Sequence, residues 1–276
     1  MKSVFSLFLL FVVGTAPVFA AKAEAPADPA NVGFSMGDAI NIAGRQRMLS
    51  QRITQSYILR GVQPSVDKHR QVFERSMAEF ERNLGRLTNF EPAKPLANTL
   101  RQVQQEWDAF AEVARQPVNK TTAAQLFQRS NTLLPAAHTY VMRLQALADH
   151  SSAELVNVSG RQRMLSQRIA KNYVAQYWGV AGSDGTRLLY EDLAEFEQML
   201  TFLLESPLNT PDITRNLLKT QGHLHYASRG FDGEMQISEA RQIHVITGTT
   251  DIMLRNMNII TGQYAQLLNA VELAAR

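Results

Sequence analysis

Ten residues, Gly44-Arg45-Gln46-Arg47-Met48-Leu49-Ser50-Gln51-Arg52-Ile53, recur without change as Gly160-Arg161-Gln162-Arg163-Met164-Leu165-Ser166-Gln167-Arg168-Ile169, 116 residues further on. The chemistry in this segment belongs to arginine, which is permanently charged and presents a planar fork of donors suited to a planar oxyanion. On a helix of about 100° per residue, Ile42, Leu49 and Ile53 gather on one side. Gly44, Arg47, Gln51 and Ile58 gather almost opposite, with Met48 and Gln55 at the margin. A helix face turned only to solvent would carry Lys and Glu there. Glycine inside a helix costs about 1 kcal/mol relative to alanine, so its placement points to close approach of a backbone or ligand. Two such arginines repel each other unless an anion lies between them. Gly44, Arg47, Met48, Gly160, Arg163 and Met164 are therefore the candidate ligand-binding residues, for a small anion held between two copies of one helix. The alternative is that Arg47 and Arg163 snorkel or pair with carboxylates such as Glu79, Glu81 or their repeats. Arg45 and Arg52, flanking the core side, are assigned to such ordinary pairing.

The elements that position this segment are themselves duplicated. The same offset pairs Asn41 with Asn157, Tyr57 with Tyr173, and Ala78-Glu79-Phe80-Glu81 with Ala194-Glu195-Phe196-Glu197. Phe73, Met77, Phe80, Leu84 and Leu87 form an apolar stripe at helical spacing, and Leu189, Leu193, Phe196, Leu200 and Leu203 repeat it. Leu96, Leu100, Val103, Trp107 and Phe110 make a third stripe, and Met253, Met257, Ile260, Tyr264, Leu267 and Val271 a fourth. Gly and Pro punctuate the intervals, and strand-like alternation is missing. Four helices per unit are predicted, at about 36–61, 65–88, 95–115 and 120–149, then 152–179, 186–205, 211–229 and 236–274. Short connections favour an all-α fold of two tandem up-down-up-down four-helix bundles, over 36–150 and 151–276. Pro135 predicts a kink in the fourth helix.

Asn-x-x-Gly-x-x-Arg-Met, present at Asn41–Met48 and Asn157–Met164, resembles the P-box of NarX-type nitrate sensors. The fuller Gly-Arg-Gln-Arg-Met-Leu-Ser-Gln-Arg-Ile form resembles the PilJ-type domain, named from a type IV pili chemotaxis transducer. The resemblance covers both units, although its sharp motif is the first helix of each. It implies a four-helix sensor bundle in which the P-box arginine binds the anion where two first helices lie side by side. That role carries onto Arg47 and Arg163, with Gly44 and Gly160 offering close backbone approach, and nitrate or nitrite is the first ligand expected. Receptors of this family place the sensor between membrane helices, ahead of a transmitter, and those parts are not recognised in this sequence. Signalling is therefore expected to pass through a partner, a membrane receptor or sensor kinase, with a homodimer as a further arrangement. The rival expectation is a ligand-free adaptor that packs against homologous receptor domains by the same face.

Other chemistry finds little support. There is no cysteine, which excludes disulfide scaffolds, thiol nucleophiles and zinc–thiolate sites. His223 and His225 lie two apart on a predicted helix and point away from each other. His150 and Glu154 are spaced as a ligand pair but sit at the link between units. No Glu-x-x-His, HExxH, GxSxG or P-loop occurs. No catalytic residue, metal site or cofactor is assigned, and enzyme activity is not expected. Lys plus Arg number 28 against 25 Asp plus Glu, a net charge of +3, which argues against a nucleic-acid binder.

Residues 1–20 read as a secretory signal peptide. Lys2 supplies the basic start, Val4–Val13 an apolar run, and Val18-Phe19-Ala20 a cleavage site before Ala21. Gly14 and Pro17 interrupt the run before membrane-spanning length. An uncleaved anchor is the other reading. Residues 21–35 are expected to be a disordered leader and the mature protein to be periplasmic. Within the chain, two geometries stay open. A sharp turn at Ser151, capped by Glu154, would set the first helices of both units in parallel and unite Arg47 with Arg163. A continuous helix through 150 would stack the bundles end to end and leave each arginine to a second chain.

Overall fold

The computed structural model describes residues 34–148, 150–231 and 237–274, so the leader sequence up to residue 33, signal peptide included, lies outside the described residues. Eight α-helices follow one another: α1 (Met36–Val62), α2 (Asp67–Thr88), α3 (Ala97–Ala114), α4 (Lys120–Ala148), α5 (Ser151–Trp178), α6 (Gly185–Leu204), α7 (Pro211–Phe231) and α8 (Glu239–Ala274). A short 3-10 turn, Glu91–Leu96, precedes α3, with Pro92 near its start. No strand occurs among the described residues. The fold is the expected pair of four-helix bundles, α1–α4 and α5–α8, joined into one compact body.

The stripes behave as their spacing dictates. Phe73 through Leu87 and Leu189 through Leu203 are buried at every position of both stripes. Trp107 stacks on Phe80 with ring centroids 3.8 Å apart, joining the first and third stripes. The fourth stripe departs from its reading at the end, where Leu267 is only partly buried and Val271 is exposed, while Leu268, one position on, is fully buried. Ser35 caps α1 through a capping box: its Oγ accepts from the Asp38 amide, and Asp38 Oδ2 accepts from the Ser35 amide at 3.2 Å. Phe34 packs edge-on against Phe90.

The link between bundles decides the geometry. α4 runs through Pro135 to Ala148, and α5 starts afresh at Ser151 after a break. The cap there is His150, in extended conformation and without a side-chain hydrogen bond, so the Ser151–Glu154 capping box expected from the sequence does not form. The turn brings α5 against α1 in parallel. Gly44 faces Gly160, Arg52 Nη1 donates to Gln167 Oε1 at 2.7 Å, and the Trp178 ring lies on Gly61, a register that advances in the same direction on both helices. α1 and α5 form the most extensive helix pairing in the molecule. Each is buried on its own bundle's side and again on its partner's, which is why their hydrophilic residues are buried too. At Gly61 a Cβ would stand 2.1 Å from the Trp178 ring; the missing side chain is the space the indole occupies.

Candidate functional site

The repeated segments reach matching partners in each bundle. Arg45 pairs with Glu79 on α2, and Arg161 with Glu195 on α6. Gln46 Nε2 donates to the Phe80 carbonyl at 3.0 Å, and Gln162 Nε2 to the Phe196 carbonyl at 2.8 Å. Ser50 and Ser166 turn their hydroxyls back onto the carbonyls of Arg47 and Arg163. These contacts absorb Glu79 and Glu195, while Glu81 pairs with Arg115. Carboxylate pairing of Arg47 and Arg163, the bland sequence reading, therefore does not occur: among the described residues neither makes an ion pair. Arg52 takes the ordinary role expected of it, bonding Asp251 on α8 at 2.7 Å and so tying the two bundles.

Arg47 and Arg163 are instead completely buried and turned toward each other across the α1–α5 contact. A Cβ built on Gly44 would lie 3.3 Å from Nη2 of both arginines and 3.9 Å from the Gly160 Cα. One built on Gly160 would lie 3.2 Å and 3.4 Å from the same two nitrogens. The two glycines thus let the backbones meet and let both guanidinium groups converge on one place. Each guanidinium crosses to the other helix: Arg47 Nη2 donates to the Asn157 carbonyl at 3.1 Å and Arg163 Nη2 to the Asn41 carbonyl at 2.9 Å. Nε of each arginine is buried with no hydrogen-bond partner. Nε–H and one Nη2–H form the edge with which an arginine grips an oxyanion in bidentate fashion; in both arginines the Nε–H half of that edge has no partner, while Nη2 already donates across the helix pair.

The electrostatics follow. Burial, then Arg161, lowers Arg47 to about 9, with Glu195 partly opposing. Burial, then Arg45 and Arg47, pushes Arg163 well below its ordinary value, with Glu79 partly opposing. Guanidinium groups nevertheless remain charged in proteins, so the shifts register two desolvated cations side by side. Leaving a buried charge without a counter-charge costs several kcal/mol.

Met48 and Met164, also expected at the ligand, are buried in the apolar core. The surroundings of the two arginines differ. Arg47 Nη1 donates to His138 Nδ1 on α4 at 3.0 Å. Arg163 Nη1 donates to Asn41 Oδ1 at 2.8 Å and to Asn258 Oδ1 on α8 at 3.4 Å. Further along the same seam Lys171 is fully buried, bonded to Ser130 Oγ at 3.1 Å and lying over the Phe127 ring. Its burial and the nearby Arg168 lower it to about 7. Sequence reasoning passed over His138, Asn258 and Lys171. For Lys171 the signal was available in a mismatch of the repeat, since the 116-residue offset sets Gln55 against it. His225 lies 3.8 Å from Glu197, and no cluster of three metal-binding side chains occurs among the described residues. No helix among the described residues is long and apolar enough to cross a membrane.

No curated protein and no solved structure matches the chain significantly. The family comparison does match, in two segments, residues 35–132 and 148–227, each containing one copy of the arginine motif. With the duplicated helical bundle, this coverage shows that the chain belongs to the PilJ family, the N-terminal domain of type IV pili methyl-accepting chemotaxis transducers.

Proposed function

We propose that the chain is an exported sensor module that binds one small oxyanion, nitrate or nitrite first, between Arg47 and Arg163, and reports occupancy to a membrane receptor or sensor kinase. The observation that carries this reading is the pair of buried guanidinium groups converging on Gly44 and Gly160 with both Nε–H donors unspent and no carboxylate in contact. The repeats, 36–150 and 151–276, serve as two halves of one site, so a single chain suffices without a homodimer. Recognition rather than catalysis is its role, as in a signalling family. Export rests on the signal-peptide character of residues 1–20, with cleavage after Ala20.

One observation favours the ligand-free adaptor reading, because each Nη2 already has a main-chain carbonyl across the helix pair. Isothermal titration with sodium nitrate, with sodium chloride as control, separates the two. The sensor reading requires saturable nitrate binding by the wild type that is lost in both Arg47→Ala and Arg163→Ala. Absence of binding by the wild type, or binding unchanged in both variants, overturns it.

A further inference from the structure

The site is twofold in its arginines and one-sided in its histidine. A guanidinium N–H can only donate, so in the 3.0 Å contact with Arg47 Nη1 the His138 Nδ1 is the acceptor and the ring is neutral. His138 is only partly buried, so protons reach it, whereas Arg47 is sealed from solvent. At the corresponding place in the second repeat Arg163 Nη1 meets Asn258 on α8, together with Asn41 on α1, and neither asparagine titrates.

Resting on the anion reading of the arginine pair, we propose that His138 makes anion binding proton-linked: the neutral ring holds Arg47 in its anion-free arrangement, and the protonated ring and the bound anion favour each other. The charged groups facing the ring are Arg47 on α1, Arg161 on α5 and Glu195 on α6. Glu195 is already shared between Arg161 and Arg168. A proton on His138 thus adds a third cation to a neighbourhood with one shared carboxylate. Burial, then Arg47, accordingly holds the ring down at about 4. An anion between Arg47 and Arg163 cancels one of those charges and makes the ring easier to protonate. By reciprocity of linkage the proton strengthens anion binding by the same factor. The chemistry is direct: an imidazolium has no lone pair at Nδ1, so it releases Arg47 Nη1 to turn toward the ligand.

The test is nitrate titration of the full chain by calorimetry at pH 5 and pH 8, each in two buffers of different ionisation enthalpy. Wild type, H138L and H138Q are compared. The leucine removes the acceptor at Arg47, and the glutamine keeps one without titrating. The wild type is expected to bind about tenfold tighter at pH 5 and to take up part of a proton per nitrate, while both variants lose most of this pH dependence. Lys171, which titrates near neutrality on α5, is present in all three proteins, so the difference between them isolates His138. Equal wild-type affinity at both pH values, or proton uptake undiminished in H138L and H138Q, overturns the proposal while leaving the anion site intact. No nitrate binding by the wild type at either pH overturns the anion reading itself, and the linkage with it.

Discussion

Two identical stretches of ten residues hold their arginines against different neighbours. In the first, Arg47 leans on a histidine from α4; in the second, Arg163 is gripped by two asparagines, from α1 and α8. Contacts made inside each bundle are duplicated faithfully, as in Arg45–Glu79 with Arg161–Glu195 and Gln46–Phe80 with Gln162–Phe196. Across the α1–α5 seam the contacts of each Nη2 with the Asn157 and Asn41 carbonyls also repeat, but the partners of Nη1 do not. The duplication therefore preserves the scaffold and the pair of charges while letting the flanks diverge. A site on a true twofold axis between identical chains lacks that freedom, because any change on one flank appears on both.

The largest expected effect tests whether the two arginines act as one pair despite their different neighbours. Arg47→Met and Arg163→Met each remove one of two adjacent buried cations, so nitrate affinity is expected to fall by about 100-fold or more in both. In nitrate-free buffer the same variants are expected to be as stable as wild type or more so by about 1–4 kcal/mol, since an apolar side chain replaces an uncompensated buried charge. Urea denaturation with and without nitrate checks both halves. A large effect at one arginine and none at the other would dissolve the pair.

Next in size are the close approaches. Gly61→Ala sets a Cβ against the Trp178 ring, and Gly37→Ala sets one 2.8 Å from the Ala265 carbonyl oxygen. Both are expected to cost about 1–3 kcal/mol by overpacking. Gly85→Ala, where a Cβ meets nothing within 4 Å, is expected to gain up to about 1 kcal/mol from helix propensity. Thermal denaturation of the three variants ranks them.

Lys171→Gln copies onto the second repeat the residue of the first. In the wild type the folded lysine titrates near 7 and the unfolded one near 10.5. Between those values the unfolded chain holds more protons, so stability rises with pH across this window, whereas below 7 the burial cost is fully present. The variant is expected to lose that rise, measured by urea denaturation at pH 7 and pH 10. The smallest effects belong to the duplicated surface pairs. Double-mutant cycles on Arg45–Glu79 and Arg161–Glu195, both partly exposed, are expected to give coupling energies under about 1 kcal/mol. Similar values for the two would sharpen the contrast with the diverged seam.

Much of this was legible in the sequence for a physical reason. Helix stripes such as Phe73 to Leu87 are local, periodic and apolar, so spacing alone identifies the buried face. Gly44 and Arg47 on one non-core face pointed to a second contact because a helix has only that other face to offer. The partners of Arg47 and Arg163 were not legible, because His138 and Asn258 arrive from α4 and α8 at distances along the chain that no local pattern encodes. The parallel arrangement was undecided for a similar reason. Without Gly or Pro between Pro135 and Gly160, the break after Ala148 follows from the packing of α5 on α1 and not from a residue that forbids helix. Leu267 and Val271 show the opposite failure, a helical period continued after the buried face has moved to Leu268.

α1 and α5 of one chain meet at Gly44 and Gly160, where the two arginines converge. The chain has no cysteine, so a Gly44→Cys, Gly160→Cys double variant reports that contact without background. A disulfide needs Cβ atoms roughly 3.8 Å apart, and the Cβ position of Gly44 lies 3.9 Å from the Gly160 Cα. Mild oxidation followed by non-reducing electrophoresis and mass measurement of the linked peptide is the direct readout. The expected result is an intrachain 44–160 disulfide in a monomer. Disulfide-linked dimers alone, or thiols that stay free, would contradict it.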